Sequence, residues 1–244
     1  MAMRLDLGRI WTDVVRMARG NAEALSAIAG MFILAPGLLS AWLLPDRAMP
    51  ADTATPADLL NANADYITAH WPLILGNALI VAFGSMALLS FLLHRQRPTV
   101  AEAMRLGLRA LPFYLLASAI QTLVVAGGLM LFIVPGVYLV SRFLCIAPVA
   151  VTEHQRRPLA IIARSFQLTA GNGWRIILMI AVVLLVAVVI STVVGSIVGI
   201  AASLLLPPDI ARFARLLTGS VLETALAVSI TLVSAAIYRA TALR

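Results

Sequence analysis

The sequence predicts an all-α membrane bundle of six transmembrane helices with three amphipathic helices at its surface. Three observations carry that prediction. Of 244 residues, 61% are hydrophobic and 12% charged, and mean hydropathy is +0.98, a balance that a globule with a polar surface cannot show. The apolar residues fall into runs of roughly 20, long enough to cross a hydrocarbon core of ~30 Å as helices. The basic residues, all of them arginine, gather in alternate connecting segments.

Met1 to Gly20 stays charged throughout, unlike a signal peptide. Residues 5–19 read as an amphipathic helix along the bilayer surface, with Leu7, Ile10, Trp11, Val14 and Ala18 on one side and Arg9, Asp13 and Arg16 on the other. The first span is residues 24–44, kinked at Pro36. Pro45 to His70, rich in Pro and Asp, reads as a loop with a short helix near Asp58 to Tyr66. Residues 71–93 form the second span, with Trp71 as its interface anchor.

Thr99-Val100-Ala101-Glu102 has the spacing of a capping box and opens a second amphipathic helix, with Val100, Met104, Leu108 and Leu111 on its apolar face. Spans three (111–134) and four (137–152) are joined by a tight Pro135-Gly136 turn. A third amphipathic helix, Pro158 to Ala170, presents Leu159, Ile162 and Phe166, with Gly171 placed to cap it. The fifth span, residues 176–206, is too long to cross untilted and ends at Pro207-Pro208. Ile210 to Leu217 reads as a short interfacial helix before the sixth span, 218–238.

The order amphipathic helix, outward span, returning span thus recurs three times, with Gly20-Asn21 and Gly171-Asn172 in equivalent places. Duplication and simple topology both account for it. Fourteen arginines fall in the segments that share a side with the N-terminus, against Arg47, Arg212 and Arg215 on the other side, with Arg142 in the membrane. Basic residues mark the cytoplasmic side, so the expected protein is multi-pass in a bacterial inner membrane with both termini cytoplasmic. The net charge of +7 then faces anionic lipid headgroups rather than nucleic acid.

Phe132 to Trp174 holds the one recognisable signature: Pro135-Gly136, Arg142, Pro148, Glu153, Arg164-Ser165, Leu168, Gly171 and Trp174. On these residues the stretch resembles the bacterial membrane-domain family found fused to some glycerophosphoryl diester phosphodiesterases. The resemblance implies architecture and no activity, because the phosphodiesterase chemistry belongs to a separate soluble barrel. It marks Glu153, Arg164 and Trp174 as signature positions. Read as residues, they form a corner that fixes how an amphipathic helix meets two spans.

Reaction chemistry is hard to assemble. His70, His94 and His154 are the only histidines, and the expected topology puts His70 across the bilayer from the other two, so no metal or cofactor is expected. Cys145 reads as a packed hydrophobe. Arg142 and Glu223 are the charges placed within spans, and they are expected to face each other, or to share a polar pocket with Gln121, unless Arg142 snorkels to outer headgroups. Ser191, Gly195, Gly199 and Ser203 recur every four residues, a stripe for close helix packing within the chain or against a second copy. The expected function is non-catalytic, acting through lipid or membrane-protein contacts in membrane assembly or envelope maintenance. The alternative is a transporter or lipid-translocating protein.

Overall fold

The structure is a computed structural model that describes residues 5–45, 55–94, 98–153 and 157–242. Arg47, Arg95, Arg97, His154 and Arg156 lie outside the described residues. The elements are α1 (Leu7–Gly20), α2 (Ala22–Ala29), α3 (Ala35–Leu43), α4 (Pro56–Leu93), α5 (Val100–Leu131), α6 (Ile133–Phe143), α7 (Ile146–Thr152), α8 (Pro158–Leu168), α9 (Gly173–Leu205) and α10 (Pro208–Ala242). Six stretches are long and apolar enough to cross a membrane: Ala22–Leu43, Ala57–Leu93, Val100–Leu131, Ile133–Thr152, Gly173–Leu205 and Pro208–Ala242. The chain is an all-α, polytopic bundle.

Two of the six spans are broken, each beside a proline. Between α2 and α3 the backbone widens to a π-helix, Gly30–Leu34, which places Pro36 in the first turn of α3. A π-turn beside a proline relieves the clash between the ring and the preceding carbonyl. Pro148 sits in the first turn of α7, just beyond the break at Leu144 and Cys145 that separates α6 from α7.

Several expected boundaries are corrected. Residues 99–110 do not form a separate surface helix. The Thr99 box closes as expected, Thr99 N–H donating to Glu102 at 2.8 Å and Glu102 N–H to Thr99 Oγ1 at 3.3 Å, but the helix then runs unbroken through Pro112 to Leu131. Its packed face is the small-residue row Ala103, Gly107 and Ala110, not Val100 and Leu108, which stay exposed. A Cβ on Gly107 would stand 2.9 Å from Ala87 N, so the α4–α5 crossing depends on that glycine. The short helix expected near Asp58 is the start of α4, opened by a Thr55–Asp58 capping box that also goes with Pro56 in the first turn. Residues 210–217 belong to α10 for the same reason: Pro208 begins that helix rather than ending one.

The α5–α6 turn lies at Phe132 (φ −157°, ψ 141°), three residues before the expected Pro135-Gly136. Both of those residues are helical. Gly136 instead lets the two helices touch: a Cβ there would meet the Leu129 side chain and stand 2.8 Å from its backbone N.

The core is concentrated at one end. Fully buried Met86, Leu88, Ile146, Val149, Ile161 and Ile237 come from the last turns of α4 and α10 and from α7 and α8. Along α9, by contrast, Val182, Val186, Ile190, Val193, Ile197 and Ile200 are all exposed. One end of the bundle is closed by protein; one side of α9 is left uncovered by the described residues along most of its length.

Candidate functional site

The closed end joins the signature stretch to α1 and to the last turns of α4 and α10. Asp6 caps α1, accepting from Gly8 N–H at 3.0 Å and Arg9 N–H at 3.2 Å, and α1 then buries Ile10, Val14 and Met17 against α10. Its apolar stripe thus meets protein, while Trp11 remains 52% exposed. Asp13 holds both Arg16 and, at 3.6 Å, Arg239 near the end of α10. The entering chain is also clipped: Leu5 N–H donates to Asn172 Oδ1 at 2.9 Å, and Arg175 Nη1 donates to Leu5 C=O at 2.7 Å. Gly171, at φ 74°, supplies the left-handed residue that turns α8 into α9 and presents Asn172. It is the only positive-φ glycine among the described residues. Gly20-Asn21 therefore does not repeat its geometry.

Arg142 is placed by α8, not by α10. Nη2 donates to Phe166 C=O at 2.7 Å, the guanidinium lies 4.9 Å from the Phe166 ring centre, and Nη1 is buried without a hydrogen-bond partner. The Arg142 carbonyl in turn accepts from Ser165 Oγ at 2.7 Å and Thr169 Oγ1 at 3.4 Å. A cation on the last carbonyls of a helix satisfies orphan acceptors and opposes the negative end of the helix dipole. The expected Arg142–Glu223 pair is absent, and with it the shared pocket with Gln121. The physical reason is that α6 packs on α5, α9 and α8, and Arg142 finds its acceptor on α8.

The face that α8 buries is also corrected. Ile161, Ser165 and Leu168 are its buried residues, and Leu159 is 69% exposed, because the polar Ser165 follows the Arg142 carbonyl into the interior. Arg164, next along, donates Nε to both Glu153 oxygens at 3.0 Å, and Tyr238 O–H of α10 donates to the same carboxylate at 3.2 Å. Glu153 so joins the α7 end, α8 and α10. Trp174 is 64% exposed with its ring 5.9 Å from Tyr138, whose ring also covers Gly173.

The far half offers a second place of interest. Ser191, Gly195, Arg215, Thr218, Gly219 and Glu223 line a cleft of about 350 Å³ between α9 and α10. It adjoins an apolar cleft of about 320 Å³ that reaches from Ser191 and Leu222 to Val233, with Trp11 and Val14 at its closed-end side. Internal packing of the small-residue stripe does not occur at its glycines: nothing lies within 4 Å of a Cβ built on Gly195 or Gly199, and Ser203 only returns its hydroxyl to Ile200 C=O at 2.9 Å. Among the described residues no three of His, Cys, Asp and Glu could hold a metal ion, and Cys145 is buried.

Sequence reasoning located Glu153, Arg164, Gly171 and Trp174 at one corner but missed the partners that arrive from elsewhere: Leu5, Asp13, Tyr238 and Arg239. Residue spacing gives no signal for contacts 85 to 226 positions apart. An asparagine directly after a left-handed glycine was the available hint for the Leu5 clip.

No family model and no solved structure matches the chain. Over 104 residues it is 34% identical to a UPF0259 membrane protein of Yersinia pestis (strain Pestoides F), and to the same degree to one of Yersinia pseudotuberculosis serotype O:3 (strain YPIII). Each match covers 43% of this chain and 40% of the relative, so the chain spans about two fifths of the length of the curated relatives it matches. Those names give a membrane location and no activity, and they do not tie residues 132–174 to the membrane domain of glycerophosphoryl diester phosphodiesterases.

Proposed function

We propose that this is a non-catalytic, multi-pass inner-membrane protein with cytoplasmic termini. It acts through contacts with anionic lipid headgroups at the closed end, in membrane assembly or envelope maintenance. The observation that carries the reading is the mounting of α1. Its Ile10, Val14 and Met17 face is fixed to α10, while Arg9 and Arg16, each paired with an aspartate three residues before it (Asp6 and Asp13), still present side chains that are 77% and 73% exposed. Arg105 and Arg109, exposed on the first turns of α5, add two further guanidinium groups. Each basic residue held near an anionic surface contributes about 1 kcal/mol.

The test is the lipid that co-purifies with the chain in mild detergent. Changing Arg9, Arg16, Arg105 and Arg109 together to glutamine should lower the anionic fraction several-fold without loss of folded protein. An unchanged anionic fraction would remove the reading. A second reading, a lipid-translocating protein, is favoured by the α9–α10 clefts, and transfer of a labelled phospholipid between leaflets of proteoliposomes would support it.

A further inference from the structure

The two clefts between α9 and α10 share Ser191 and Leu222 and so form one groove. Along α10 it runs from Arg215 to Val233, about 27 Å at ~1.5 Å per residue. Its depth follows from Arg239, which Asp13 holds at the level of α1. Counting back along α10 at the same rise, Glu223 lies ~24 Å and Arg215 ~36 Å from that level, against a hydrocarbon core of ~30 Å. Glu223 therefore falls just inside the far boundary of the core, and Arg215 just beyond it.

Both side chains are exposed, and among the described residues neither makes an ion pair or a side-chain hydrogen bond. A carboxylate facing hydrocarbon is costly without a counter-charge. Eight residues separate the two along the helix, yet both line the same cleft, where Gly195 and Gly219 leave the backbones of α9 and α10 uncovered. An anion alone would satisfy Arg215 and leave Glu223 bare; a cation alone would do the reverse. Below them the groove is apolar and open sideways, through exposed Val182, Val186 and Ile190.

We propose that this groove binds one phospholipid with a zwitterionic, amine-bearing headgroup from the leaflet opposite α1. Its phosphate meets the Arg215 guanidinium, its ethanolamine folds back along α10 so that the ammonium meets Glu223, and an acyl chain runs along Val182 to Ile190 and Leu226 to Val233. The inference is independent of the anionic contacts at the closed end, because it uses neither those residues nor that leaflet.

The experiment is native mass spectrometry of the full chain, delipidated and titrated with phosphatidylethanolamine or with phosphatidylglycerol. The wild type should take up one phosphatidylethanolamine ahead of phosphatidylglycerol. Arg215→Gln should weaken both lipids about tenfold, the effect of one lost charge-assisted hydrogen bond. Glu223→Gln should erase the preference between them. Gly195→Leu should block uptake by filling the cleft, and the two surface variants keep the test decisive if that protein does not fold. Arg9→Gln with Arg16→Gln should leave the phosphatidylethanolamine copy untouched. Equal binding of the two lipids by the wild type, wild-type binding by Arg215→Gln and Glu223→Gln, or a lipid-free dimer that excludes both lipids would overturn the proposal.

Discussion

At the end of the bundle that holds α1 and α8, polar groups are matched across the chain. Asn172 meets the Leu5 amide, Arg175 the Leu5 carbonyl, and Arg164 and Tyr238 the Glu153 carboxylate. Half a bundle away, Arg215 and Glu223 share a cleft with no partner for either among the described residues, beside Gly195 and Gly219, where a built Cβ would meet nothing within 4 Å. The same chain thus satisfies its charges internally in one place and leaves them open in another. Buried polar groups without partners are costly, so the closed end reads as a device for fixing geometry, and the open groove as a place prepared for something outside the chain. Within the closed end Nη1 of Arg142 is the exception. Its unmet donor is offset by the bond that Nη2 gives to Phe166 C=O and by the Phe166 ring beneath it.

The contrast can be sharpened by substitutions, the strongest first. Asn172→Leu removes the acceptor of the buried Leu5 N–H and should cost about 1 to 3 kcal/mol, because that donor is left without water or protein. Melting in detergent should fall by several degrees, and amide exchange over residues 5–10 should rise. Unchanged exchange there would show that α1 is held without the clip.

A double-mutant cycle on Glu153→Gln and Arg164→Met should give a coupling of about 1 kcal/mol, with each single change destabilising. The pair is partly exposed, 20% and 38%, which limits the figure. Strictly additive losses would mean that the corner is held by packing alone. The smallest effect is expected for Asp13→Asn and Arg239→Gln, whose 3.6 Å contact is also partly exposed. Their coupling should stay below about 1 kcal/mol and vanish in ~1 M salt.

Much of this architecture was legible from periodicity and charge. Six apolar stretches, the Thr99 capping box and the left-handed Gly171 all follow from local pattern, and local pattern is what helices obey. Three of the boundary differences share one cause. Pro56, Pro135 and Pro208 suggest breaks or turns by residue type, whereas each stands in the first turn of a helix, where a missing N–H costs nothing. The packed faces of α5 and α8 differ from the expected ones because small and polar residues, Gly107 and Ser165, approach their neighbours more closely than the larger apolar ones. At the site, charge alone points Arg142 at Glu223. A carbonyl at a helix end is as good a partner for a guanidinium and leaves no mark in composition.

The central claim is that one end is closed and the α9–α10 groove is open. The most direct test compares the same substitution in both places, by melting Gly107→Ala and Gly195→Ala in identical lipid-free detergent. The Cβ on residue 107 must push against the Ala87 backbone, so that variant should lose about 1 to 3 kcal/mol. The Cβ on residue 195 meets nothing within 4 Å, so alanine there should be neutral, or up to about 1 kcal/mol more stable, through its better helix propensity. Equal losses at the two positions, or a larger loss at Gly195, would contradict the account.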